Sequence, residues 1–185
     1  MPEMVLLEAE EKMEQTLNAL HREFVQIRTS RANPKMLERV TLDYYGVQTP
    51  LNQVGSISVP EANQIYFKPY DKSILSKAER AIFAANLGLT PTNDGNGLRM
   101  VFPPMTEERR RESAKLVHKL AEENKIALRN VRRDAVSTLK KMEKDKLLTE
   151  DEIEVWEKKV QDLTDKFVGK IDAAADEKEK DVMKI

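Results

Sequence analysis

Apolar residues recur every three or four positions in three stretches of the chain. The first runs Leu6, Ala9, Met13, Leu17, Leu20, Phe24 and Ile27. The second keeps a strict 3,4 alternation through Ala114, Val117, Ala121, Asn124, Leu128, Val131, Ala135, Thr138 and Met142. The third is Ile153, Trp156, Val160, Leu163, Phe167, Ile171 and Ala174. Such spacing puts the apolar residues on one face of a helix, and three such faces predict a bundle. Start signals agree. Thr106 precedes Glu107 and Glu108, acids that suit the positive end of a helix, and Thr149 with Glu152 has the spacing of a capping box. Only KDKLLT separates the second and third stretches, so these two helices are expected to run antiparallel.

Residues 31–105 carry a different pattern. RVTLDYYG alternates Val40, Leu42 and Tyr44, while QVGSISV, NQIYFKPY and LRMVF read as further short strands. DKSILSKAERAIFAANLG predicts one amphipathic helix, with Asp71 as N-cap and Gly88 as its stop, and PTNDGNG a turn cluster. Pro34 at one edge and Pro103 and Pro104 at the other interrupt any continuing helix. The expected fold is therefore α+β with two domains. A long antiparallel three-helix bundle, residues 1–30 and 106–185, receives a small β/α domain, residues 31–105, between its first two helices. Two linkers join the domains, and a paired connection of this kind can act as a hinge, centred on Ser30, Asn33, Pro34, Pro103, Pro104 and Met105.

Composition narrows the class. The chain has 185 residues, 40% hydrophobic and 34% charged, and no cysteine, so disulfides and thiolate zinc sites are excluded. No run approaches the roughly 18 apolar residues of a membrane span, and the acidic opening MPEMVLLEAEEKMEQ lacks the basic and apolar regions of a signal peptide. A cytoplasmic protein without a membrane partner is expected. The net charge of −1 conceals a partition: −3 over residues 1–30, +2 over 31–105, +5 over 106–148 and −5 over 149–185. Basic and acidic helices lying side by side would account for the balance, though not for clustering within the basic helix.

Candidate chemistry is sparse. His21 and His118 stand alone on their helices, and NDGNG lacks the GK[ST] of a phosphate loop and the GxGxxG of a dinucleotide fold. No nucleophile, base or metal cluster converges, which points to a binding protein without a cofactor. Trp156 sits on a seam and is expected in the core. Tyr44 is expected to pack, and Tyr45 is open to stacking on a base. The segment IALRNVRRDA stands out: Arg129, Arg132 and Arg133 have no acidic residue three or four positions away, and neither do Arg28 and Arg31 in QIRTSRANP. At about 100° per residue, Arg129 and Arg133 project away from the seam and Arg132 lies at its edge. Two uses are open to them: pairing with acids of the third helix such as Asp162 or Asp165, or binding phosphate through their planar forks.

Motifs in IRTSRANP, DYYGVQTPL, NLGLTPTNDGNGLRMVFPPMTEERR, ALRNVRRDA, KVQDLTDK and the closing EKEKDVMKI resemble bacterial-type ribosome recycling factors across essentially the whole chain. Ser30 stands where that family commonly has glycine and Asn33 where serine is frequent. The resemblance implies an L-shaped, monomeric molecule of roughly tRNA size. It further implies binding between the ribosomal subunits after peptide release and, with elongation factor G and GTP, subunit splitting with release of tRNA and mRNA. No bond is broken by the factor, since GTP hydrolysis belongs to elongation factor G. By the same resemblance, Arg132 with Arg129 and Arg133 grips large-subunit ribosomal RNA, with Arg28 and Arg31 as a second basic patch. A general RNA-binding helical adaptor is the alternative the same patches would permit.

Overall fold

The computed structural model describes residues 1–29 and 31–184, so the expectation for Ser30 lies outside the described residues. Contacts divide the chain into one unit of residues 1–27 and 111–181, and a second of residues 28–110 with the chain end from Val182.

The first unit holds α1 (Pro2–Gln26), most of α4 (Glu107–Lys144) and most of α5 (Glu150–Met183). On α4, Lys125 bonds Asp172 of α5, and His118 Nε2 lies 3.1 Å from Glu179 Oε2. Seven residues back on α4 thus correspond to seven forward on α5, the signature of an antiparallel pair. Val5 and Ala9 of α1 share a core cluster with Ala135, Leu139, Ile153 and Val160, so the start of α1 meets the later half of α4 and the start of α5. The caps form as the sequence predicts. Thr106 Oγ1 accepts from Arg109 N at 3.2 Å. Thr149 and Glu152 exchange bonds, Glu152 N to Thr149 Oγ1 at 3.2 Å and Thr149 N to Glu152 Oε2 at 3.1 Å. The seam departs from strict alternation near its end, where Thr138 is exposed and Leu139 fully buried. A 3.6-residue turn drifts about 20° per heptad against a 3.5-residue repeat, so after several heptads the buried position moves one residue on. Trp156 is half-buried at the edge of this cluster, with Lys159 Nζ 4.2 Å from its ring centroid.

The second unit is a β/α fold. Strands β1 (Thr41–Tyr44) and β2 (Val47–Pro50) form a hairpin, followed by a single turn, α2 (Leu51–Val54). Then β3 (Gly55–Glu61), β4 (Gln64–Pro69), β5 (Pro91–Asn93) and β6 (Leu98–Val101) make an antiparallel sheet in the order β3-β4-β6-β5. Helix α3 (Leu75–Ala84) contributes Ala78 and Ile82 to a core with Leu42, Ile65, Phe67, Leu98 and Met100. The single helix predicted from Asp71 to Gly88 is shorter and divided. Asp71 Oδ1 accepts from Ser73 N at 2.9 Å and caps a 3₁₀ turn, Lys72–Ile74, before α3 begins. The helix ends at Ala84, with Asn86 left-handed at φ 51°, so Gly88 is not its immediate stop. The predicted turn PTNDGNG also supplies edge strand β5, with proline at its first position where no ladder donor is required. In the turn itself, Gly97 is obligatory, since a Cβ there would meet Phe67 O at 2.5 Å and the Tyr66 hydroxyl oxygen at 2.6 Å.

Candidate nucleic-acid interface

Helix α4 presents its cations in a graded way. Arg129 and Arg133 are exposed and Arg132 is half-buried at the seam edge, as the 100° geometry requires. None of the three makes an ion pair or hydrogen bond to a described residue. The expected local partners are otherwise disposed: Asp165 accepts from Gln161 Nε2 at 2.9 Å, and no ion pair joins Asp162 to an arginine of α4. Asp134, the acid beside Arg133, lines the groove between α1 and α4 with Lys12. Lys140 and Lys144 continue the same face. Both are exposed without a described partner, and with Arg129 and Arg133 they fall within about 60° around the helix. Sequence reasoning missed these two because it sought arginines without acids at helical spacing, and Lys140 has Glu143 three residues on. Towards the helix start the stripe meets Glu122, whose Oε1 takes the Lys125 ammonium at 3.4 Å. Lys125 is held protonated above its ordinary range, chiefly by its hydrogen bond to Asp172. It is therefore engaged within the bundle, where the arginines are not.

Arg28 and Arg31 belong to the other unit and differ from each other. Arg28 is half-buried and its Nη2 reaches Pro103 O at 3.5 Å, while its Nε is buried without a partner. Its guanidinium therefore ties the first connector to the second. Arg31 is exposed, and its backbone N donates to Thr29 Oγ1 at 3.2 Å. The other described connector residues make specific hydrogen bonds. Asn33 Oδ1 accepts from Lys35 N at 3.0 Å and caps the 3₁₀ turn that Pro34 opens. Pro103 and Pro104 are exposed, but Met105 is buried and its O accepts from Arg110 Nη1 at 3.3 Å. Both connectors are clasped by the β3–β4 turn: Ala32 N donates to Ala62 O and Phe102 N to Asn63 O, each at 2.7 Å.

Among the described residues no group of three or more His, Cys, Asp or Glu could hold a metal ion, and no helix is long and apolar enough to cross a membrane. An extended face of cations without internal partners can hold phosphate oxygens in sequence without reading bases.

Comparison with known proteins identifies the family. A family model described as ribosome recycling factor matches residues 20–183. The chain is 53% identical over 185 residues, all of both chains, to the ribosome-recycling factor of Geobacillus thermodenitrificans strain NG80-2. It is 51% identical over the same complete length to that of Bacillus subtilis strain 168. The solution structure of a ribosome recycling factor superimposes with a TM-score of 0.85 at 38% identity, covering 100% of this chain and 98% of that one. A second match, at TM-score 0.69 and 36% identity over the full length of both chains, comes from models of the T. thermophilus ribosome recycling factor and E. coli elongation factor G bound to the E. coli post-termination complex. With a family model spanning most of its length and complete-length relatives at about half identity, the chain belongs to the ribosome recycling factor family.

Proposed function

We propose that this chain binds the post-termination ribosome between its subunits, through the cationic face of α4 on large-subunit ribosomal RNA, and with elongation factor G and GTP splits the subunits. Its family is one of non-enzymatic translation factors, so the work is mechanical. The single observation that carries the RNA contact is the run of α4 cations, Arg129, Arg132, Arg133, Lys140 and Lys144, with no partner among the described residues. Guanidiniums lose little by remaining hydrated on a free protein and gain charge-assisted bonds when phosphate arrives. The relative bound with elongation factor G in a post-termination complex supports the same partners here. The second unit, attached by two clasped connectors, is the part that elongation factor G would push while α4 keeps its hold.

Co-sedimentation with vacant ribosomes, run beside unfolding curves, tests the assignment. Arg132→Ala is expected to weaken ribosome binding by about tenfold, the scale of one charge-assisted contact, and to leave stability within about 0.5 kcal/mol. Arg132→Glu is expected to bind more weakly still, while Lys166→Ala, an exposed cation of the acidic α5, is the control. An Arg132→Ala protein that melts early but binds normally once folded would overturn the reading. Equal affinity for ribosomes and for isolated structured RNA would favour a general RNA adaptor.

A further inference from the structure

The β1–β2 hairpin carries a residue that its backbone does not want. Tyr44 pairs with Val47, leaving Tyr45 and Gly46 as a two-residue loop with φ of 51° and 84°. Both positions are left-handed, where asparagine, aspartate and glycine are favoured and a bulky side chain is strained. Asp43 Oδ1 accepts from Gly46 N at 2.8 Å and closes the turn. The tyrosine ring gains little from folding: it is 81% exposed, held edge-on against Tyr44 with centroids 4.6 Å apart. Strain kept at a position that buries almost nothing is a mark of function.

The surroundings say what the ring meets. A cleft of about 160 Å³ lies beside it, with Ser73 and Lys77 on the opposite wall. A shallower groove continues between the hairpin and α3, past Thr41 and Gln48 to Arg80, and Lys77 and Asp43 line both. Lys77 and Arg80 are exposed, three residues apart on one face of α3, and neither bonds a described residue. Asp43, the acid lining the trough, has an oxygen occupied by the turn amide. An open aromatic face with two free cations along the same trough is the chemistry of an unstacked nucleotide: sequence-tolerant stacking on the ring, with the flanking phosphates on the cations. We propose that the trough between the β1–β2 hairpin and α3 takes one unpaired ribosomal RNA base on Tyr45, its neighbouring phosphates on Lys77 and Arg80. This gives the second unit an RNA contact separate from that of α4, and it rests on the ribosome-binding reading above.

The test uses the full chain on vacant ribosomes, with affinity, chemical reactivity of the RNA bases and melting temperature measured together. Tyr45→Asn removes the ring while suiting the left-handed backbone. It is expected to melt no lower than wild type, to bind about fivefold or more weakly, as for one lost stacking contact, and to lose a base protection that wild type and Tyr45→Phe both give. The double variant Lys77→Glu with Arg80→Glu is expected to lose the same protection. A lower melting temperature for Tyr45→Asn would mean that the ring serves the fold, and unchanged affinity and protections would remove the site. A Tyr45 dependence seen only when elongation factor G is added would assign the trough to a protein partner instead. Arg132→Ala separates the two readings: if it loses affinity while Tyr45→Asn does not, only the trough proposal fails, whereas no loss in either variant also removes the α4 assignment.

Discussion

At the scale of single residues, one helix handles its cations in two ways. Lys125 has a side chain only 16% exposed, set between Asp172 and Glu122, whereas Arg129 and Arg133 stand clear of every described acid. Replacing Lys125 by alanine removes a partly screened ion pair and the aliphatic stem packed beneath it, and a loss of about 1 kcal/mol is expected in chemical denaturation. The pH dependence has a definite sign. The folded pKa lies above the ordinary 10.5, so the stabilisation is fully present below the unfolded pKa and disappears as pH rises through the raised folded one. On the alkaline side, the ion-pair part of the wild-type advantage over Lys125→Ala is therefore expected to be lost only above about 10.5. An advantage that fades near neutrality would contradict the assignment to Asp172.

Whole elements are fixed by short polar devices at their ends. The reciprocal bonds of Thr149 and Glu152 start α5 immediately after a tight turn, and Thr149→Ala is expected to lower stability by about 1 kcal/mol, with Thr149→Ser recovering most of it. In the β5–β6 turn, Asp94 Oδ1 accepts from Asn96 N at 2.9 Å and Gly97 N at 2.8 Å, and its carboxylate takes the Tyr66 hydroxyl at 3.1 Å. The two backbone donors hold the carboxyl below its ordinary range, and the carboxylate in turn raises Tyr66 beyond the effect of burial. A depressed folded pKa stabilises above the unfolded value of about 3.9 and loses its effect as pH falls through the folded one. The amide resonances of Asn96 and Gly97 are accordingly expected to titrate below that value in wild type and to show no such step in Asp94→Asn. A step at or above the ordinary carboxylate range would break the link.

For the whole molecule, the relevant facts are two cores, two connectors and a divided charge. Ribosome binding by cations is expected to fall steeply with salt because neutralised phosphates release counterions, and an affinity unchanged between low and moderate salt would tell against the α4 face. The absence of native cysteine makes a further measurement clean, since one cysteine placed in each unit would be the sole pair of thiols. Joining the units through that pair is expected to preserve binding and reduce splitting with elongation factor G. Full splitting by verified crosslinked protein would end the moving-domain mechanism.

Local chemistry by itself determined much of this protein. The three helical stripes, the two threonine caps and the alternating Val40, Leu42 and Tyr44 depend on neighbours within a few residues, so they are legible without a fold. The missing acids around Arg129, Arg132 and Arg133 are local too, and the motifs around them carried the family resemblance. Tertiary structure decided what depends on distant partners. Leu139 replaces Thr138 in the core because a real helix drifts against a fixed heptad, and α3 stops at Ala84, with the chain turning at Asn86 before Gly88. Pro91–Asn93 became a strand because β6 offered an open edge. Arg28 and Arg31 looked alike on the page, but the chain places Pro103 within reach of Arg28, which therefore bridges the connectors while Arg31 stays exposed. Whether a cation is free, or an aromatic ring is open, is a property of everything that packs around it, and three or four residues on either side do not contain that information.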